Sequence, residues 1–319
     1  MQLLTDYRVY WRDATTVQIG LDPRTALTVE GLSPDEQELI SRLTERRTHV
    51  DMKSYAHTAG IDPQRLSQII YMLKDAQVIN EHEHSNSSAL SQPAMLSRSG
   101  DRSATTVLIT SIDALGVSIA MALVRAGVGG IVFSDTDLVS TSDHPALQKH
   151  WLGLPRSQAF LTALRSIRSD IRTTGNPDFA VVTGSQLVDP FSASWLMDEG
   201  IPHLLAWAEE VDVLVGPLVQ PGRTPCASCL YKYRNSRDEA WALLAPQALA
   251  STALLPPAET LDIASALGAR AVLAYLDGLG NPIDQQQWRV PPSPDLPRLF
   301  PVYPNSQCGC CETLPPEEV

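Results

Sequence analysis

Apolar positions along the chain change period from two to between three and four and back again, most clearly between residues 107 and 139. Val107-Leu108-Ile109 is a short apolar run of buried-strand type. Leu115, Ile119, Ala122 and Leu123 then recur at helical spacing, and Gly127 and Gly129 end that helix. Ile131-Val132-Phe133 forms a second strand, closed by Asp135 and Asp137. The length of this strand–turn–helix–strand unit suits a nucleotide-binding βαβ. The alternation continues downstream. A helix is predicted from Pro155 to Ile167, a strand at Phe179–Val182, a short helix at Ser192–Glu199 and a strand at His203–Ala206. Residues Val211–Val219 continue in extended form, Glu259–Asp277 is a long apolar-faced helix, and the proline-rich run Pro291–Pro304 reads as an irregular surface crossing. Alternating strands and helices predict an α/β domain over 105–319, with a mostly parallel sheet covered on both faces.

The first 85 residues pattern differently. Tyr7–Trp11, Thr16–Ile19 and Ala26–Val29 look like strands. Ser33-Pro34-Asp35-Glu36 is a helix start with capping box and first-turn proline, and that helix is expected to run to about Arg46. A second helix is expected near Met52–Thr58. Asp62-Pro63 starts a third, with Leu66, Ile69, Ile70 and Leu73 on one stripe, before a short strand at Val78-Ile79. Strands, three helices and a closing strand make a small winged-helix-like α+β domain, 1–85. Residues 86–104 continue a stretch without periodicity and read as a linker. His82 and His84 just before it have the spacing of a weak metal chelate, or of a solvated linker face.

Charge narrows the use of the small domain. Through residue 85 there are nine Lys/Arg against thirteen Asp/Glu, and the whole chain carries −12. Nucleic acid and anionic membranes are therefore not expected partners. A strand edge beside a helix can instead capture an extended peptide by β-addition, and a packing or dimerisation module is the plainer alternative. No apolar run reaches a membrane span, and the start of the chain lacks signal-peptide order, so a cytoplasmic location is expected.

All five cysteines lie in the last third. Cys226 and Cys229 form one CxxC pair, and Cys308 and Cys311 another. Four thiolates so spaced suit one structural Zn²⁺, worth on the order of ten kcal/mol to folding. Cys310 is the odd thiol, able to replace Cys311. Free thiols or a redox pair are the alternative. The basic and aromatic segment Tyr231–Arg237 suits an acidic partner or a solvated helix start.

Val128-Gly129, Asp135-Thr136-Asp137-Leu138-Val139, Val215-Gly216-Pro217, Pro221-Gly222 and the cysteine pairs stand in an order that resembles the ThiF/MoeB-like relatives of ubiquitin-activating enzymes, over roughly 105–319. The resemblance implies a doubly wound sheet, a homodimer, a structural zinc, and ATP- and Mg²⁺-dependent adenylation of a protein or peptide C-terminus. With its winged-helix-like front, the whole chain resembles the ThiF-like partner proteins of azoline-forming systems. Those bind a leader peptide and deliver it to a YcaO-type cyclodehydratase.

Departures from the family fall on its chemistry. Its G-x-G-G-x-G loop matches Ser111, Asp113, Ala114 and Gly116, so only the last glycine stands. Asp113 adds a carboxylate that repels phosphate by roughly 4 kcal/mol at about 4 Å and an effective dielectric near 20. The arginine-finger position holds Ala146, and the metal-binding aspartate position holds Gln186. Asp135 stands where a ribose is held and Arg156 where the family has lysine; together they are a vestigial nucleotide site, or simply loop caps and surface charges. ATP and Mg²⁺ are not expected ligands, and no catalytic residue is assigned. The reading is a catalytically silent scaffold for a peptide or partner enzyme. An active adenylyltransferase with an unorthodox loop and an acidic winged-helix regulator compete with it.

Overall fold

A computed structural model describes residues 2–3, 7–44, 48–76, 78–80, 101–148, 150–251, 255–280 and 283–311. His82 and His84 lie outside them. The chain divides into two compact units, Met1–Arg98 and Ser99–Val319.

The first unit runs β1 (Gln2–Leu3), β2 (Val9–Trp11), β3 (Val17–Ile19), β4 (Leu27–Val29), α1 (Pro34–Ser41), α2 (His49–Thr58), α3 (Pro63–Asp75) and β5 (Ile79–Asn80). β2, β3 and β4 form an antiparallel sheet in that order, and β1 pairs with β5. Three local devices start the helices. Glu36 N–H donates to Ser33 Oγ at 3.2 Å while Ser33 N–H donates to Glu36 Oε2 at 2.8 Å. Thr48 and Asp51 repeat this box for α2, and Asp62 caps α3 with Pro63 in its first turn. α1 stops at Ser41, short of the expected Arg46, and a 3-10 turn follows at Arg42–Thr44. The stripe Leu66, Ile69, Ile70 and Leu73 is buried in one core with Val17, Ile19, Leu39 and Ile40.

The second unit runs β6 (Thr106–Ile109), α4 (Ala114–Arg125), β7 (Gly130–Phe133), α5 (Pro145–Gln148), α6 (Arg156–Ile167), β8 (Phe179–Ser185), α7 (Ser194–Asp198), β9 (His203–Ala208), β10 (Val213–Val219), α8 (Ala227–Arg237), α9 (Trp241–Leu249), α10 (Ala258–Leu276), β11 (Gln286–Val290) and β12 (Arg298–Pro301). One seven-stranded mixed sheet has the order β12-β11-β10-β9-β8-β6-β7. The four strands β7, β6, β8 and β9 are parallel, whereas β10, β11 and β12 each run antiparallel to the preceding neighbour. The parallel half is thus joined by an antiparallel extension. Only residues 209–212 separate β9 from β10, too few for a crossover, so β10 must turn back. β12 also corrects the expectation of an irregular crossing at Pro291–Pro304. Its proline, Pro301, sits on an edge strand, where a missing N–H is tolerated.

Two apolar layers sandwich the sheet, as expected of this α/β fold. On one face Leu115, Ile119 and Leu123 of α4, Phe160 and Leu164 of α6, and Leu261 and Val272 of α10 pack with Val107, Ile109 and Val181. On the other, Leu196 of α7 and Ala227 of α8 join Ala180, Val182, Leu205 and Trp207, with Cys226 and Cys229 among them. Among the described residues no helix is long and apolar enough to cross a membrane.

One glycine has a packing reason that its motif position does not reveal. A Cβ on Gly116, in the first turn of α4, would stand 2.2 Å from the Ser111 carbonyl oxygen. Gly116→Ala should therefore destabilise the second unit by about 1–3 kcal/mol, read as a lowered denaturant midpoint with unchanged slope.

Candidate functional site

From β6 the chain goes to β7 on one side, then crosses to β8 on the other side of β6. That reversal leaves a crevice beyond the carboxyl ends of β6 and β8, the place where open α/β sheets bind ligands. Residues 110–113 link β6 to α4 at that end of the sheet. Thr110 N–H donates to Val181 O at 3.1 Å, and Thr183 N–H to Thr110 Oγ1 at 3.3 Å, which fixes the turn to β8. Asp113 is the N-cap of α4, with its Oδ1 accepting from Gly116 N–H at 2.8 Å. The first N–H groups of a helix are a ready anion seat. Here one of them is already bonded to the protein's own carboxylate. Burial pushes the Asp113 carboxyl up from its ordinary value of 3.8, against the pull of the Gly116 N–H.

The structure joins Asp135 and Arg156. Asp135 follows β7, and Arg156 opens α6. Arg156 Nε and Nη2 donate to Asp135 Oδ2 at 2.9 and 2.6 Å, Nη2 also to Asp137 Oδ2 at 2.8 Å, and Nη1 to Asp143 Oδ1 at 3.1 Å. Asp137 N–H donates to Asp135 Oδ1 at 2.8 Å, so both oxygens of Asp135 are engaged within the chain. Burial opposes the charge of Arg156, but bonds and charge from Asp135 and Asp143 outweigh it and lift the guanidinium pKa. The sequence reading missed Asp143, whose other oxygen caps Ser140 N–H at 2.7 Å. Its one sequence signal is an acid three residues after a serine, a common loop-cap pattern. Gln186, at the carboxyl end of β8, has φ 67, the one positive φ of a non-glycine residue among those described. Its N–H donates to Ala208 O at 2.6 Å, a bond that helps hold this strained conformation. Ala146 is exposed on α5 and brings no guanidinium to the crevice.

The cysteines gather on the other face of the sheet. The sulfurs of Cys226, Cys229, Cys308 and Cys310 all lie within 4.8 Å of one another. Cys226 and Cys308 are 3.6 Å apart, and Cys229 and Cys310 3.2 Å. Sulfurs around a tetrahedral zinc stand about 3.8 Å apart, so this donor set fits such an ion. Cys310 stands within that group, and Cys311, the expected fourth ligand, lies beside it with its Sγ 3.5 Å from Cys310 Sγ. The reason is local: Cys311 bridges Gly222, its thiol donates to Thr224 O at 3.1 Å, and Gly309 at φ 73 turns Cys308 and Cys310 toward the pair on α8. Hydrogen bonds from Cys226 and Cys310, with one from Asn305 N–H, pull the Cys229 thiol below its ordinary value.

In the first unit, neither β2 nor β4 has a partner on its outer edge among the described residues. Arg65 of α3 donates to Glu36 Oε1 at 2.8 Å and to Gly31 O at 3.3 Å, just beyond β4. It is thus committed within the unit, while Tyr71 of α3 and Trp11 of β2 are exposed.

A doubly wound sheet, a switch-point crevice and four cysteines gathered on the opposite face define a ThiF-like fold. Comparison with known proteins gives the same class. The sulfur carrier protein ThiS adenylyltransferase of Bacillus subtilis (strain 168) is 31% identical over 147 residues, 39% of this chain and 43% of that protein. The chain thus matches less than half the length of that relative. The structure of E. coli MccB with ATP superposes with a TM-score of 0.66 at 16% identity, covering 98% of this chain and 99% of that one. MccB in complex with N-formylated MccA gives 0.66 at 16%, with the same coverage, and PaaA gives 0.66 at 12%, covering 93% and 99%. No family model matches. The resemblance to ThiF/MoeB-like proteins stands, and the altered loop fits a degenerate branch of them.

Asp113→Asn separates the cap from the charge, because asparagine caps a helix equally well. A carboxyl whose folded pKa is raised costs stability once pH rises past its unfolded value, and the full cost is present above the folded one. The asparagine variant should therefore equal the parent near pH 3 and exceed it in stability at pH 7, as measured by urea unfolding.

Proposed function

We propose that the protein is a catalytically silent ThiF-like scaffold that holds a peptide or protein partner. The observation that carries this is the Asp113 carboxylate on the N-terminus of α4, where a phosphate would have to lie. When that carboxyl is ionised, a second charge at about 4 Å is opposed by roughly 4 kcal/mol, close to a thousandfold in affinity. Arg156 adds to it: three carboxylates already occupy the guanidinium, and Asp137 N–H and Arg156 take both oxygens of Asp135, so a ribose or phosphate must first break that cluster.

Peptide binding is the part carried over from the likeness to MccB, which has been described with MccA. In this chain the free edge of β4 beside the start of α3 offers unpaired backbone groups to an extended peptide. A YcaO-type enzyme as downstream partner, and a homodimer, follow from the resemblance and belong to the same proposal. The active reading keeps one support, since MccB is also described with ATP and the B. subtilis relative is an adenylyltransferase. Titration with Mg-ATP should give no saturable binding up to about 1 mM and no pyrophosphate exchange. Short precursor peptides encoded beside the gene should slow hydrogen exchange at Leu27–Val29. Micromolar ATP binding with exchange would replace the silent reading by the active one.

We further propose a structural Zn²⁺ on Cys226, Cys229, Cys308 and Cys310. When bound, the ion supplies a closed cross-link between the start of α8 and residues 308–310, with no open position for water. Cys310→Ser should lose zinc on gel filtration, and Cys311→Ser should keep it, both read by metal analysis. The reverse pattern would restore Cys311 as the fourth ligand.

A further inference from the structure

The small sheet of the first unit has a second outer edge, along β2, that the peptide reading above does not use. Gly20 N–H donates to Arg8 O and Arg12 N–H to Thr16 O, both at 2.9 Å. Arg8, Tyr10 and Arg12 therefore turn their backbone groups toward β3. Val9 and Trp11, between them, turn theirs outward, where no described strand pairs with them. Neither is a proline, so both outward N–H groups can donate. Side chains alternate as well. Tyr7 and Val9 pack in the core with Ile19, whereas Arg8, Tyr10 and Arg12 are exposed on the opposite face. Trp11 follows the core side by alternation, yet it is 58% exposed at the margin of the sheet.

The charge on the exposed face is unbalanced. Arg24, Arg42 and Arg65 of the same unit each pair with an acid, while neither Arg8 nor Arg12 forms an ion pair among the described residues. Asp13, next in the chain, is turned to the N–H and hydroxyl of Thr15. Arg12 Nη1 reaches Thr28 Oγ1 on β4 at 3.5 Å, which lays this guanidinium across the sheet. In a chain of net charge −12, the strip Arg8-Tyr10-Arg12 is a cationic surface without an internal counter-charge. A second copy of the chain does not fit it. Pairing β2 with itself antiparallel about Tyr10 would set each Arg8 opposite an Arg12, and like charges directly opposite destabilise a strand pair.

We propose that the β2 edge is a second strand-addition site, for an extended segment of a partner protein with acidic residues at alternate positions. One residue of that segment lies beside Tyr10, and an Asp or Glu two positions away on either side meets Arg8 and Arg12. The residues between them face the other way and are apolar, covering Val9 and Trp11. The pattern acid–apolar–any–apolar–acid reads the same in both chain directions. Backbone bonds to Val9 and Trp11 hold the segment, and the arginines select its sequence. The site is separate from the β4 edge and does not depend on a silent crevice.

The test adds a capped peptide with the central run Glu-Val-Thr-Val-Glu to the full ¹⁵N-labelled chain. Amide exchange at Val9 and Trp11 should slow saturably. Affinity should fall about threefold in Arg8→Gln or Arg12→Gln and about tenfold in the double variant, with the urea midpoint of each variant unchanged. The same peptide with lysine in place of glutamate should leave both amides as they are. Protection within Leu27–Val29 in place of Val9 and Trp11 moves the peptide to the β4 edge and overturns the proposal. Equal binding of the lysine peptide, or an unchanged affinity in the double variant, overturns it too. So does protection of Val9 and Trp11 by raised protein concentration alone, which would make the edge a contact between copies.

Discussion

A helix N-terminus already capped by its own side chain organises the crevice of this protein. The first turn of α4 presents N–H groups toward the carboxyl ends of β6 and β8, and Asp113 accepts from one of them. In a phosphate loop the same position stays open, and glycines let backbone come close to the ligand. Here the turn is pinned to β8 through Thr110, and Gly116 lies too close to the Ser111 carbonyl to bear a side chain. The turn is built to fit itself. A fixed internal carboxyl group holds the helix start without a ligand.

The same economy appears at Arg156. A guanidinium at the start of a helix is badly placed for the macrodipole. Asp135, Asp137 and Asp143 compensate it from the loops after β7, and the cluster ties those loops to α6. Such a buried network adds specificity of arrangement more surely than net stability. The charged groups of both halves of the crevice are thus bonded within the chain. In the first unit the outer edge of β4 has no strand partner among the described residues.

Two layers on one sheet separate these roles. The face packed by α4, α6 and α10 is mainly apolar, with Ser118, Thr260 and Ser265 buried on the same helices. The opposite face has thin cover, with a five-residue α7 and the start of α8, and the cysteine cluster completes its core. A closed metal site there would substitute for the missing helix, holding residues 308–310 against α8 where hydrophobic burial alone is small.

Much of the fold was legible in the sequence because its signals act over a few residues. The Ser33–Glu36 box, Asp62-Pro63, the stripe from Leu66 to Leu73 and the apolar runs at 107–109 and 179–182 each announce an element through spacing that a helix or strand imposes locally. The departures from the glycine loop and the two cysteine-bearing segments were legible for the same reason, as motifs with short spacers. What only the tertiary structure decided are contacts across long stretches of chain. The sequence could not show that Cys310 gathers with the pair on α8 while Cys311 bridges Gly222, 89 positions away. It could not show that Arg156 meets Asp143 as well as Asp135, or that β10 to β12 run antiparallel on a parallel sheet. Those outcomes depend on where distant segments are carried by the packing of the sheet, and no pattern within one turn or one strand encodes that.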